Sequence, residues 1–351
     1  MSAITDFLYG VLTWINGIVN NYGISIIIFT FLMRLVCMPF DFKSRKGMRK
    51  MALIQPKLNE LQKKYANDKE KLQRKQSELM KKEGYNPLSG CLPMLLTWPL
   101  MLAMFSAMRS IANEQMAVQV FRYLAGDQNV ITAADKFLWV KNIWITDSFF
   151  ASIAPTADNL KILTQDVWTK AAAQFQSDPA RWAAIEAAVK SVADGATLDF
   201  STAAAMQTSV ANMMAALQTM PAYTAAIAAV PGWTGMNFIL FKVSLFQNYN
   251  GLLILPILAG VTQVLSTKFN PQMQEQATAQ PAGQQNGMGN FMKYFFPILS
   301  VFFCLTSNAG FAVYWVTSTC VMWLQSVLIT KYLEKKDEEK AQSVSGEGSV
   351  K

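Results

Sequence analysis

The chain has 351 residues, of which 52% are hydrophobic and only 15% charged, and its formal net charge is +8. A soluble protein of this length normally carries more charge, so the composition indicates an integral membrane protein. Histidine is absent, which excludes the commonest general base and the commonest zinc ligand. We therefore expect no enzyme, no metal site and no cofactor.

The first apolar run, residues 24–40, contains one charged residue, Arg34. At ~1.5 Å per residue this run only just crosses ~30 Å of hydrocarbon, so the guanidinium lies well inside it. An arginine that faces lipid at that depth costs roughly 2.5–3.5 kcal/mol. We expect Arg34 to face a hydrated or protein-lined cavity instead. The alternative is that its side chain reaches the inner interface beside Lys43.

The basic residues indicate the topology. Lysine and arginine number 14 between Asp41 and Ser89, and none precedes Arg34. This asymmetry places 41–89 in the cytoplasm and the N-terminus outside. Residues 1–23 lack the pattern of a cleaved signal and predict a helix at the outer interface, or an extra turn of the first span. Within 41–89 the apolar spacing favours an antiparallel helical hairpin over a solvated linker.

The remaining chain alternates apolar spans with polar segments. Asp178-Pro179 predicts the start of one of several short helices in a long outer segment. The predicted order after the hairpin is a second span (90–111), an extracytoplasmic segment (112–250) with a helical insertion at about 151–245, a third span (251–268), a flexible cytoplasmic loop (269–290), a fourth span (291–307), a fifth span (311–333) and a cytoplasmic tail (334–351). The sequence thus predicts an all-α protein with five transmembrane helices.

Polar residues inside the predicted spans suggest a hydrophilic groove. No Asp or Glu falls within the five spans, which leaves Arg34 without a counter-ion there and disfavours a proton- or sodium-coupled transporter. The four cysteines lie in apolar runs without CxxC spacing and are interpreted as buried hydrophobic residues. The candidates for lining a groove are Thr97, Gln263, Tyr314, Thr317, Ser318, Thr319 and Gln325. The side chain of each residue could instead form a hydrogen bond between helices.

Motifs in the predicted spans and the hairpin resemble those of the YidC-type membrane protein insertases. They are Arg34 with Pro39; Gln55-Pro56-Lys57-Leu58; Lys81 to Pro87 with Gly90-Cys91-Leu92-Pro93 and Pro99; Phe137-Leu138-Trp139-Val140; Leu255-Pro256-Ile257-Leu258; Lys293 to Pro297; and Gly310 to Trp315 with Gln325. Their order and spacing make a chance similarity improbable.

The resemblance implies five helices around a positively charged groove that is open to the cytoplasm and to lipid. Arg34 would be the groove arginine, and Thr97, Gln263, Tyr314, Thr319 and Gln325 would contact substrate. It further implies a bacterial plasma membrane protein whose partners are nascent membrane proteins and the lipid bilayer, with the Sec translocon and the ribosome as further candidates. No specific nucleic acid is expected.

Two departures from the family pattern qualify these expectations. Thr97 and Thr319 stand where many relatives have Gln and Asn, so both are weaker candidates for substrate contacts. The lysines of the tail, 331–351, are balanced by acidic residues, which gives little support for ribosome binding. A channel or transporter with a hydrated path around Arg34, and a membrane protein assembly chaperone, are the alternative functions.

Overall fold

The computed structural model describes residues 2–84, 87–232, 236–237, 242–269 and 285–347. Most of these residues are helical, which confirms the all-α part of the predicted fold class. The helices are α1 (Ser2–Val19), α2 (Tyr22–Lys64), α3 (Lys69–Lys82), α4 (Pro87–Leu124), α5 (Ala157–Leu160), α6 (Gln165–Gln176), α7 (Pro179–Lys190), α8 (Ala203–Gln218), α9 (Pro221–Ala226), α10 (Ile254–Phe269), α11 (Gln285–Thr306) and α12 (Ala309–Glu347). Two short strands, β1 (Met236–Asn237) and β2 (Lys242–Val243), pair antiparallel.

Two helices extend well beyond the spans predicted within them. Helix α2 has 43 residues and contains both Pro39 and Pro56, so the first predicted span continues unbroken into the hairpin. Helix α12 has 39 residues and continues past the fifth predicted span into the tail. A proline removes one helical hydrogen bond, and packing against neighbours can offset that loss. Most of the loop predicted at 269–290, and the last four residues of the tail, lie outside the described residues.

Two stretches in the described part of the chain are long and apolar enough to cross a membrane. They are Tyr22–Gly47 and Ala309–Glu339. Shorter apolar stretches occur at Ala3–Val19, Ile254–Phe269 and Tyr294–Thr306. The second predicted span, 90–111, lies within α4. All five predicted spans thus fall on helices, of which two have the length and hydropathy expected of a membrane span.

The chain divides into two compact units. The first consists of Met1–Phe29, Ala103–Ile257 and Phe302–Tyr314, and the second of Thr30–Leu102, Leu258–Val301 and Trp315–Lys351.

An aromatic cluster forms the core of the helical insertion in the first unit. The Phe121 ring, on α4, is fully buried. Its centroid lies 6.0 Å from that of Trp168, 5.4 Å from that of Phe175 and 6.1 Å from that of Phe200. Since Trp168 and Phe175 belong to α6, this cluster fastens the insertion to α4.

Helix α7 starts as the sequence predicts. The Asp178 carboxylate accepts hydrogen bonds from the amides of Ala180 and Arg181, both at 3.2 Å, and Pro179 occupies the first turn. An acidic N-cap followed by proline is a strong helix-start signal, because the carboxylate caps free backbone amides and the proline has a helical φ, and neither effect needs tertiary contacts.

Asp147 is fully buried in the first unit and fixes the entry of the chain into α10. Its Oδ1 accepts from the Leu252 amide at 2.8 Å, and its Oδ2 accepts from the Leu255 amide at 2.7 Å and the Trp139 indole at 3.1 Å. A Cβ on Gly251 would lie only 1.9 Å from Oδ1. The site therefore requires a carboxylate at 147 and a glycine at 251.

Asp147→Asn is expected to lower the free energy of unfolding by about 1–2 kcal/mol, because the amide keeps one acceptor oxygen and turns an NH₂ group towards an N–H donor. Urea unfolding in detergent, followed by tryptophan fluorescence, measures this change. The matched control is Asp166→Asn, which removes an exposed carboxylate paired with Lys170 at 2.9 Å. That change should cost less than about 0.5 kcal/mol. Equal effects of the two variants would contradict the role given to Asp147.

The hairpin of the second unit combines charged surface contacts with apolar side chains of α2, Ile54 and Leu58, that are buried. No residue of α3 is buried. Its first turn is capped by Asp68, and beyond its end Glu83 Oε1 lies 2.7 Å from Lys57 Nζ on α2. The Lys57 ammonium lowers the pKa of the Glu83 carboxyl through this hydrogen bond. Exposed ion pairs add little stability, so the contact between Lys57 and Glu83 contributes little to holding α3 against α2.

Candidate functional site

Arg34 lies on α2 in the second unit, and its side chain is half-buried. Its Nε and Nη2 atoms both donate to the Ser318 hydroxyl on α12, Nε at 3.1 Å. Among the residues that the structure describes, no carboxylate forms a salt bridge with Arg34. A guanidinium has five N–H donors, so one hydroxyl does not satisfy it. The charge of Arg34 is therefore positioned by α12 without being neutralised by it.

Gln325, a buried residue of α12, binds the backbone of α2 beside Arg34. Its Nε2 donates to the Arg34 carbonyl oxygen at 2.9 Å. This contact falls in the turn that Pro39 loosens, because proline has no N–H to donate to the Leu35 carbonyl. The Oε1 of Gln325 is buried and has no hydrogen-bond partner among the described residues. Gln325 thus supports Arg34 and retains an acceptor for a further donor.

Thr319 and Gln263 are also buried in the second unit. The Thr319 hydroxyl donates to the Trp315 carbonyl oxygen at 2.9 Å, a bond that stays within α12. Serine and threonine often satisfy their hydroxyls in this way in membrane helices, so the contact is one of packing. Gln263 lies on α10, and the nearby Ser266 hydroxyl is buried without a partner in the described part of the chain.

Three predicted groove residues remain, Thr317, Tyr314 and Thr97, of which Thr317 is half-buried on α12. Tyr314 belongs to the first unit, where it is buried with its ring centroid 6.2 Å from that of Phe311. Thr97 lies on α4, but its side chain is outside the described residues. Among the predicted groove residues, the structure thus brings Ser318 and Gln325 into direct contact with Arg34.

A second arginine, Arg45, is more deeply buried than Arg34, with 2% of its surface exposed. Its Nη1 donates to the Ser326 carbonyl oxygen at 2.8 Å and to the Thr330 hydroxyl, and its Nη2 donates to the Ser326 hydroxyl. Arg45 therefore joins α2 to α12 through several charge-assisted hydrogen bonds.

Sequence analysis missed this role because Arg45 lies within the basic run 43–50 and was interpreted only as a topology signal. Its spacing gave an available clue. Arg45 follows Arg34 by eleven positions, about three helical turns, so both lie on one face of α2. Ser318, Ser326 and Thr330 lie within an arc of about 120° around α12.

These contacts form a polar seam between the segments of α2 and α12 that belong to the second unit. In the order of α2, the contacts are Arg34 with Ser318 and Gln325, Phe42 with Tyr332 at 5.9 Å between ring centroids, Arg45 with Ser326 and Thr330, and Arg49 with Asp337 at 3.3 Å. The first and last contacts, Arg34 with Ser318 and Arg49 with Asp337, show that residue numbers increase in the same direction along both helices, so the two helices run parallel. We call this contact set the α2–α12 seam.

Asp41 supplies an acidic charge close to both arginines. It is half-buried on α2, and both Arg34 and Arg45 attract its carboxylate. Among the described residues it forms no salt bridge. The predicted first span ends one residue before Asp41, which is why sequence analysis gave Arg34 no acidic neighbour. The helix that carries Arg34 therefore carries a counter-charge too.

The same two helices expose large apolar side chains on their other faces. The exposed residues are Phe31, Leu32, Leu35, Val36 and Phe40 on α2, and Trp323, Leu324, Leu328 and Tyr332 on α12. A surface this apolar is unfavourable in water and typical of contact with lipid. Each helix thus has one polar face at the seam and one face suited to hydrocarbon.

Metal and thiol chemistry receive no support from the residues that the structure describes. They contain no cluster of three or more His, Cys, Asp or Glu side chains. Cys37, Cys304 and Cys320 are free thiols, and Cys91 falls outside the described side chains. The expectation of buried cysteines is wrong for Cys320, which is exposed on the apolar surface of α12.

Comparison with known proteins places this chain in a family. The family described as 60Kd inner membrane protein matches residues 14–249 and 205–337. The chain belongs to this family. Members of the 60Kd inner membrane protein family among its curated relatives are named membrane protein insertase YidC, which confirms the resemblance found in the sequence. The match identifies a bacterial inner-membrane protein.

Three of these YidC relatives illustrate the extent of the similarity. The protein of Pelodictyon phaeoclathratiforme is 40% identical over 140 residues, which cover 40% of this chain and 21% of the relative. That of Chlorobium luteolum is 43% identical over 136 residues, 39% of this chain and 20% of the relative. That of Anaeromyxobacter dehalogenans is 35% identical over 140 residues, 40% of this chain and 22% of the relative. The chain thus matches about a fifth of the length of these family members.

Proposed function

We propose that this protein is a membrane protein insertase, which receives hydrophobic segments of nascent membrane proteins in a positively charged groove and releases them into the bilayer. The observation that carries the proposal is the half-buried Arg34, positioned by Ser318 within the otherwise apolar run 24–40 and without a salt bridge in the described part of the chain. The membership of the 60Kd inner membrane protein family supports it.

The proposed mechanism is electrostatic attraction followed by partition into lipid. An acidic side chain about 4 Å from Arg34 would gain about 4 kcal/mol at an effective dielectric constant near 20. That energy favours entry of a hydrophilic tail into the groove without trapping it there. The apolar segment that follows the tail then moves into the bilayer because its own transfer from water to hydrocarbon is favourable. No nucleotide takes part in these steps.

The proposed topology has five spans, at 24–40, 90–111, 251–268, 291–307 and 311–333, with the N-terminus outside and the C-terminus in the cytoplasm. The 41–89 hairpin would receive the substrate at the cytoplasmic mouth of the groove. Gln263, Thr319, Gln325, Tyr314 and Thr97 are proposed to line the groove with Arg34. The proposed partners are nascent membrane proteins and lipid, with the Sec translocon and the ribosome as further candidates.

Site-specific photo-crosslinking to a ribosome-stalled nascent membrane protein tests the function. Probes at Gln263 and Thr319 should crosslink to the nascent chain, whereas a probe at Ile162, an exposed residue of the helical insertion, should not. Equal crosslinking at all three positions would contradict a groove. Ion flux through reconstituted liposomes, in the absence of crosslinks, would favour the channel or transporter alternative.

A further inference from the structure

Three charged residues of α2 form a stripe on one face of the helix. Asp41 follows Arg34 by seven positions and Arg45 follows Asp41 by four. At about 100° per residue, these steps place all three side chains within roughly 40° of one another around the helix axis. The contacts of Arg34 with Ser318, and of Arg45 with Ser326, show that this stripe faces α12.

Arg34 and Arg45 are held by hydrogen bonds to α12, whereas Asp41, which lies between them, has no salt bridge among the described residues. The described contacts of both guanidinium groups are with hydroxyl or carbonyl oxygens of α12. Asp41 lies between them, half-buried, and its carboxylate has no salt bridge among the described residues. Its position along α2 is about 10 Å from Arg34 and about 6 Å from Arg45. At such distances charges still interact inside a protein, where salt screens them little.

We infer that Asp41 determines the charge selectivity of the groove, because its carboxylate offsets part of the positive potential that Arg34 and Arg45 present to an entering segment. This inference rests on the proposed insertase function and adds a residue that selects among substrates. Without Asp41 the stripe would carry two positive charges and no negative one. Acidic segments would then be favoured more strongly, and basic segments would be repelled more strongly.

The test compares two substrates that differ only in charge. Both are single-span proteins whose short translocated tail carries either two aspartates or two lysines at the same positions. Insertion into proteoliposomes is measured by protease protection, and the readout is the ratio of acidic to basic substrate inserted. Asp41→Asn is expected to raise this ratio about fivefold over the wild-type value. Because the stripe is partly buried, high salt should change this fivefold difference little.

The chain offers a matched control and a conservative variant. Asp337→Asn also removes one carboxylate from the α2–α12 seam, but from the pair with Arg49, in which 59% of the Asp337 side chain is exposed. It should leave the ratio within about twofold of the wild-type value, since water screens exposed charges. Asp41→Glu should do the same, because it keeps the carboxylate. A purely structural role of Asp41 would reduce insertion of both substrates by the same factor and leave their ratio unchanged.

The outcomes separate this inference from the function on which it rests. If the wild-type protein inserts neither substrate better than empty liposomes do, the insertase function is wrong. If the wild type inserts both and Asp41→Asn leaves the ratio unchanged, the selectivity role is wrong. If the Asp41→Asn variant does not fold, Asp41→Ser, which removes the same charge, is measured in its place. Failure of both neutral variants to fold, with Asp41→Glu folded, would overturn the inference by showing that the carboxylate is needed for structure.

Discussion

Arg34→Ala is expected to lower insertion of substrates with an acidic translocated tail by at least about tenfold. The alanine variant loses the only charge in the predicted first span, and with it an attraction of about 4 kcal/mol for a nearby carboxylate. Insertion of substrates with an uncharged tail should fall much less, because their entry does not depend on that attraction. Protease protection in proteoliposomes measures both substrates.

Two further variants separate charge from geometry. Arg34→Lys keeps the charge and one donor group for Ser318, and we expect insertion within about threefold of the wild-type level. Arg109→Ala removes an exposed arginine near the outer end of the second predicted span and should have no effect on the ratio of the two substrates. Insertion of the acidic substrate at the wild-type level by Arg34→Ala would rule out the electrostatic groove for that substrate.

Arg45→Ala is expected to lower the free energy of unfolding by about 3 kcal/mol. The substitution removes the charge-assisted bonds to Ser326 and Thr330 and leaves their oxygens buried beside a cavity. Arg45→Lys should recover some of this loss, because an ammonium group can reach one acceptor but cannot span two. Urea unfolding in detergent measures these differences.

Lys46→Ala is the matched control for Arg45. Lys46 is the next residue, belongs to the same basic run and is exposed. Both substitutions remove one positive charge from the segment that determines topology, so an effect on membrane orientation would be shared. Only Arg45→Ala should reduce stability, since surface substitutions rarely change it by more than about 0.5 kcal/mol. Equal stability losses would show that the buried contacts of Arg45 contribute nothing.

Local signals predicted several elements of the fold. The apolar runs fall on helices, and Asp178-Pro179 marks the start of α7, because such signals act within one or two turns of the chain. The charge of Arg34 within an apolar run identified the residue now seen against Ser318 for the same reason. Each of these inferences needs only neighbouring residues.

The missed features depend on contacts that are distant in sequence. Arg45 meets partners 281 and 285 positions away, and nothing within the run 43–50 distinguishes it from its exposed neighbours. The role of Asp41 was missed because the predicted first span ends at residue 40, one residue before it. Helix α2 continues through Pro39 and Pro56 although local rules would end or bend it there. The pairing of β1 with β2 was not predicted either, since two-residue strands leave almost no periodic signal.

The α2–α12 seam has a consequence for how a substrate reaches lipid. Moving two neighbouring helices apart breaks the bonds that cross the boundary between them, so the number and burial of those bonds determine the free-energy cost. Between α2 and α12 that boundary contains the bonds of Arg34, Gln325, Arg45 and Arg49. Opening it would expose two guanidinium groups to hydrocarbon. Under the proposed function, a substrate would therefore leave the groove along another side of α2 or α12, while the seam stays closed.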